Sequence, residues 1–300
     1  MKYDCISRQK IVYYVFEHGK YLFTVSGQEI RIMDNRKELG STFDTAASLY
    51  DKMRPGYVDE IYRTIFDYVH IGEDSHAVEV GSGSGQATEP VLRTGCSLTA
   101  IEYGENFSEM LKEKFGSNKK FQVITGKFED VKLEENMYDL VFSATAFHWV
   151  PEEIGYPKVF SILKDGGAFA RFANRPRNSK DNPELAEEID ELYNSYYNKH
   201  YGVKSGTKTW FTEDKAREIA MIPEKYGFTD IQYHLFQRER VFTSDEYIRL
   251  LGTYSDHIAI EEKIRNEFFS KIKAAIERHG GTVTISDTLD LELARKNGIT

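Results

Sequence analysis

The chain of 300 residues predicts an α/β fold, a doubly wound and mostly parallel sheet, and three observations carry that prediction. Short apolar runs at 77–80, 98–102, 121–125, 138–143 and 167–173 alternate with stretches long enough for a helix, the pattern of a parallel sheet covered by helices. The first run, Ala77-Val78-Glu79-Val80, passes straight into Gly81-Ser82-Gly83-Ser84-Gly85-Gln86. There the backbone must turn sharply from strand into helix, and Gly81, Gly83 and Gly85 permit both the turn and the close approach of a ligand. The second run ends in Glu102, at about the 20-residue offset where a carboxylate can accept hydrogen bonds from ribose hydroxyls.

Taken in order, residues 11–16, 21–25 and 29–33 are short β-prone runs separated by His18-Gly19-Lys20 and Ser26-Gly27-Gln28. They predict a small antiparallel meander, which either packs on the main sheet or mediates a homodimer. Helices at 45–53 and 57–69 follow, divided by Arg54-Pro55-Gly56, where the proline and glycine stop the first helix. Ile61, Ile65, Phe66 and Val69 recur at helical spacing, so the second helix is chiefly packing. After the five core strands, residues 181–227 are polar, aromatic and mainly helical. Tyr193, Tyr196, Tyr197, Tyr201, Trp210 and Phe211 in this stretch either wall a substrate pocket or cover the domain surface. A strand at 230–236, a helix at 261–278 and a strand at 282–286 complete the chain.

Composition fits one large domain, or one domain with an elaborate cap: 40% of residues are hydrophobic, enough for a substantial core. The formal charge of -9 disfavours nucleic acid, whose affinity comes from clustered lysine and arginine. A short basic run with Arg171, Arg175, Arg177 and Lys180 is either a solvated loop or a clamp for an acceptor carboxylate. Two cysteines, Cys5 and Cys96, supply neither a disulfide framework nor a cysteine-rich zinc site, and the eight histidines show no metal-ligand spacing. No metal is expected. No apolar stretch reaches membrane-spanning length and the first residues lack the apolar core of a signal peptide, so the expected location is cytoplasmic, without a membrane partner.

The glycine turn reads E-x-G-x-G-x-G, with Gln86 where a dinucleotide turn has its last glycine and with no basic residue inside. That favours a positively charged cofactor over a phosphate-bearing one, while Glu102 suits either NAD or another nucleoside.

Three further runs decide the comparison: Gly126-Lys127-Phe128-Glu129-Asp130, the stretch from Tyr138 through Ser143-Ala144-Thr145-Ala146-Phe147-His148-Trp149 to Val150, and Leu163-Lys164-Asp165-Gly166-Gly167. In them the chain resembles the class I S-adenosylmethionine-dependent methyltransferases, and within those the methyltransferase type 11 branch that includes trans-aconitate methyltransferase-like enzymes acting on small molecules. The resemblance is strongest over 43–172, reaches weakly into 243–296, and leaves 1–40 outside. It implies a seven-stranded Rossmann-like sheet with an antiparallel last strand. The domain would span 41–300, with 175–227 inserted as a helical cap over the substrate, and 1–40 would be a separate β-rich extension.

The resemblance also implies roles. Gly81, Gly83 and Gly85 would pass close to the methionine part of S-adenosylmethionine, and Glu79 would organise the loop or attract the ammonium and sulfonium charge. Glu102, with Tyr103 beside it, would hold the ribose; Lys127 and Phe128 would flank the adenine; Ser143 and Ala144 would lie under the sulfonium. Tyr50, Arg54 and Tyr57 would sit over the active site, and His148 would act as a general base or shape the pocket. The expected reaction is methyl transfer to a small-molecule acceptor, with S-adenosylhomocysteine as product. The alternatives are a noncatalytic S-adenosylmethionine-binding protein and an NAD-dependent oxidoreductase.

Overall fold

The computed structural model describes residues 24–25, 28–29, 51, 53–54, 56–202 and 210–297. Strands β1 (Thr24–Val25) and β2 (Gln28–Glu29) form an antiparallel pair; the rest of the expected meander lies outside the described residues. The run at 11–16, Tyr50 and Cys5 lie outside the described residues.

The central sheet contains β3 (His76–Val80), β4 (Ser97–Glu102), β5 (Phe121–Thr125), β6 (Tyr138–Ala144), β7 (Leu163–Asn178), β8 (Phe228–Thr243) and β9 (Thr282–Lys296). Their spatial order is β5-β4-β3-β6-β7-β9-β8, with β5 through β7 parallel and the last strand in sequence, β9, antiparallel to both its neighbours. This is the predicted seven-stranded sheet with its antiparallel last strand.

Strand alternation divides the core in two. Ala77, Leu98, Ala100, Leu140, Phe142, Ala170 and Phe172 pack with Ile61, Ile65, Val91 and Leu111 of α1 (Asp59–Tyr68), α2 (Thr88–Leu92) and α3 (Glu105–Phe115). Val78, Val80, Ile101, Val141 and Phe169 pack on the opposite face with Tyr156, Val159 and Ile162 of α4 (Glu152–Ile162). Glu79 and Glu102 fall on the α1 face by the same alternation.

The C-terminal strands are longer than the sequence suggests. β8 and β9 stay paired from Phe228↔Lys296 to Thr243↔Thr282, and β7 stays paired with β9 to Asn178↔Ile285, well past Phe172, which faces the last residue of β6. Residues 175–178 are therefore strand, although the sequence places them at the start of the cap. The charges that disguise β8 as a surface segment, Arg238 and Arg240, are met across the ladder by buried Asp287.

This three-stranded arm carries the helical layer. It includes α5 (Pro183–Leu192), a π-helical turn (Tyr193–Asn198), α6 (Glu213–Ala220), a 3-10 turn (Ile222–Tyr226), α7 (Ser244–Leu251), α8 (Ser255–Ile258) and α9 (Glu262–Arg278). The Asn182 side chain accepts from the Leu185 N–H with Pro183 in the first turn, and Thr243 with Glu246 forms a capping box, so both helix starts are written locally. Leu185, Ile189, Tyr193 and Tyr197 share one core with Tyr247, Leu251, Phe268, Ile272 and Ile285. The layer on the arm is thus built jointly by the insertion and the C-terminal helices.

Candidate active site

From β3 the chain proceeds outward to β4 and β5, then crosses back to β6 on the other side of β3. Strand order reverses there, and in open parallel sheets ligands bind in the crevice outside the carboxyl ends of the strands at such a point. The glycine loop forms one wall. Gly81 has φ 73°, Gly83 54° and Gly85 89°, all left-handed. A Cβ at Gly81 would stand 2.4 Å from the Ala146 Cβ, and one at Gly85 would stand 2.5 Å from Phe115. Gly81 and Gly85 are required by backbone conformation and by crowding at once, Gly83 by conformation.

Glu102 holds this loop. Its carboxylate accepts from the Gly83 N–H at 2.7 Å and the Gly104 N–H at 2.8 Å. Lys114 adds a bond from Nζ to the Ser84 carbonyl at 2.8 Å while pairing with Asp51. Glu79 is wholly buried, and burial pushes its carboxyl up to about 8; the Thr88 hydroxyl pulls the other way and the nearby Glu102 charge adds to the rise. Thr88 donates to one oxygen of Glu79, while the other, Oε1, has no protein partner. Ser84 Oγ, Gln86 Nε2 and the Tyr62 hydroxyl are likewise buried without partners. Unsatisfied buried polar atoms call for an explanation, and those of Glu79, Ser82, Ser84 and Gln86 at the end of β3 suit a polar ligand.

The remaining sequence-predicted cofactor residues are placed as follows. Tyr103 is exposed at the end of β4, with Lys127 Nζ 5.8 Å from its ring centroid. Phe128 is buried in the α4-side core, and the Lys158 ammonium lies 4.9 Å from its ring while donating to the Glu129 carbonyl at 3.1 Å. Ser143 is buried and donates to the Val80 carbonyl at 2.7 Å, tying β6 to β3.

The second wall is the tip of β6. His148 lies in a 3-10 turn (Phe147–Trp149), its ring 5.0 Å from that of Trp149. Arg54 is anchored on the helical layer: Nε donates to Thr253 Oγ1 at 3.0 Å and the guanidinium stacks 3.9 Å over the Tyr254 ring. Tyr57 comes to the β6 tip, its hydroxyl 2.8 Å from Thr145 Oγ1. Of the basic run, Arg175 is engaged internally. Arg175 pairs with Asp290 at 2.9 Å and stacks over Phe211, while Lys180 lies over Trp210. Continuation of β7 places Arg175 against β9, where it is spent on internal charge.

Sequence reasoning missed Thr145 as a special position, as well as Tyr62, Lys114 and Asn174. Thr145 is left-handed at φ 57° and the Asn174 N–H donates to its Oγ1 at 3.4 Å. Nothing in the sequence announces a threonine in that conformation.

A methyltransferase domain family matches residues 78–170, from β3 into β7. The chain is similar to an uncharacterised methyltransferase of Schizosaccharomyces pombe, 27% identical over 228 residues that cover 75% of this chain and 84% of that protein. It is also similar to the ribosomal RNA small subunit methyltransferase A of Borreliella burgdorferi, 37% identical over 244 residues, 78% of this chain and 83% of the other. The chain belongs to the class I S-adenosylmethionine-dependent methyltransferases. A solved structure described as a type II methyltransferase from Anaeromyxobacter dehalogenans shares the fold, with a TM-score of 0.60 at 19% identity, covering 82% of this chain and 99% of that one. The oxidoreductase reading of the glycine turn is thereby set aside. Among the described residues of the methyltransferase, no group of three or more His, Cys, Asp or Glu side chains is arranged to hold a metal, and no helix is long and apolar enough to cross a membrane.

Proposed function

We propose that this methyltransferase binds S-adenosylmethionine in the β3–β6 crevice and methylates a small-molecule acceptor. The observation that carries the reading is the buried Glu79 carboxyl with its unpartnered oxygen, beside a loop of three left-handed glycines. A cation supplied by the ligand satisfies that oxygen, and at ~4 Å the attraction is about 4 kcal/mol at an effective dielectric of 20, before desolvation. Glu102, whose carboxylate sits at the end of β4 against the Gly83 and Gly104 N–H groups, takes the ribose hydroxyls; Tyr103 and Lys127 lie beside the adenine.

When bound, S-adenosylmethionine supplies a methyl group on a sulfonium, displaced in line by an acceptor lone pair to leave S-adenosylhomocysteine. The chain's own residues contribute orientation and exclusion of water. Arg54, Gly56 and Tyr57 form a strap across the acceptor side. Arg54 fastens it to Thr253, the Arg238 guanidinium donates to the Gly56 carbonyl at 2.7 Å, and Tyr57 meets Thr145. His148, next along from the β6 tip, accepts a proton if the acceptor is a hydroxyl or amine.

A roofed acceptor side favours a small molecule. The ribosomal RNA named for one relative is the second reading, and it is disfavoured by the net charge of -9 and by the pairing of Arg175, Arg238 and Arg240 with internal carboxylates. Release of S-adenosylhomocysteine on a panel of small carboxylates, amines and alcohols, run beside unmodified 16S ribosomal RNA, separates the two. Turnover on a small molecule alone is expected; turnover on RNA alone overturns the assignment.

A further inference from the structure

The β6 tip holds a residue whose conformation costs energy. Thr145 is β-branched and left-handed at φ 57°, a strained state that persists only where the surroundings impose it. Here they do. Its N–H donates to the Phe172 carbonyl at 2.8 Å, and its hydroxyl engages the Tyr57 hydroxyl at 2.8 Å and the Asn174 N–H at 3.4 Å. Tyr57 is itself fixed edge-on against Phe172, centroids 4.8 Å apart at 89°.

The next residue shows what the turn accomplishes. Ala146 is the side chain packed so close to Gly81 that no Cβ fits there. The Thr145 turn therefore sets the gap between the β6 tip and the glycine loop, which is the width of the crevice at the point where the strand order reverses. Tyr57 links that width to the strap, whose other anchors, Thr253 and Arg238, belong to the helical layer and the arm.

We infer that Thr145 and Tyr57 form a positioning latch, in which the Tyr57–Thr145 contact holds the spacing of the cofactor crevice. The inference rests on the cofactor reading above. Neither residue is assigned a bond-making role. The strain in Thr145 is maintained because relaxing it would move Ala146 relative to Gly81.

The test is a double-mutant cycle on binding, with S-adenosylmethionine and S-adenosylhomocysteine as calorimetric probes of the full chain. Tyr57→Phe and Thr145→Val each weaken binding by about tenfold, and the double variant is no weaker than the poorer single, because both break one coupled contact. Thr145→Ser keeps the hydroxyl, eases the strain and binds as the wild type does. Hydrogen exchange across 56–62 rises in both single variants, which reports the latch without any ligand. If Thr145→Val does not fold, Thr145→Ala takes its place in the cycle. Single variants that bind like the wild type, losses that simply multiply in the double, or a Thr145→Ser protein as weak as Thr145→Val overturn the latch. A wild type that binds neither probe instead overturns the cofactor reading, and the two failures are thereby distinct.

Discussion

Replacing Glu79 with glutamine removes a titrating carboxyl while keeping its shape, and the structure fixes the sign of the effect. Burial moves this carboxyl from an ordinary 4.5 to about 8, so the folded chain holds the proton more tightly than the unfolded chain. Stability from this group is therefore full below about 4.5, falls as pH rises between the two values, and levels off above about 8. At about 1.4 kcal/mol for each pH unit crossed, the whole interval is worth on the order of 5 kcal/mol. Urea titrations followed by tryptophan fluorescence at pH 5, 6.5 and 8.5 measure it. The wild type should lose several kcal/mol relative to Glu79→Gln across that range, the difference cancelling the other titrating groups. A bound cation favours the ionised carboxylate, so wild-type affinity for S-adenosylmethionine should rise toward pH 8 with release of a proton, and that of the variant should not. Parallel stability curves for the two proteins would refute the account of Glu79.

Three further outcomes follow from the same geometry. Gly81→Ala forces a Cβ to within 2.4 Å of Ala146 at φ 73°, so it should cost about 1–3 kcal/mol in urea unfolding and abolish measurable cofactor binding. Asp287→Ala strands Arg238 and Arg240 beside a buried site and should cost about 3–5 kcal/mol, with the Arg238→Ala, Asp287→Ala pair less than additive. Glu292 is buried beside Asp290, and its carboxyl is raised well above the ordinary range, by burial first and by the Asp290 charge second. The folded protein thus prefers it protonated and loses stability as pH rises, so Glu292→Gln should raise the midpoint of thermal unfolding at pH 8 more than at pH 5.

The central fold was legible because its signals are local. Apolar runs of strand length, glycines at 81, 83 and 85, and the acid at Glu102 each follow from one strand end meeting one turn. The C-terminal arm was not. Arg238, Arg240, Asp287, Asp290 and Glu292 look like surface charges in the sequence, and only the pairing of β7, β8 and β9 brings them together inside. The site divides the same way. Glu79 and the glycines sit where the motif places them, whereas the fates of Arg54 and Arg175 depend on contacts with residues 199 and 115 positions away in the chain. The Thr145 turn has no sequence signature because its strain is imposed by Phe172, Tyr57 and Asn174 from outside.

The most direct test of the central claim is thermal stabilisation of the purified protein by S-adenosylmethionine, S-adenosylhomocysteine and NAD side by side. A ligand at about 100 times its dissociation constant adds roughly 2.7 kcal/mol to stability. The account predicts that the first two ligands raise the unfolding midpoint and NAD leaves it unchanged; stabilisation by NAD alone would contradict it.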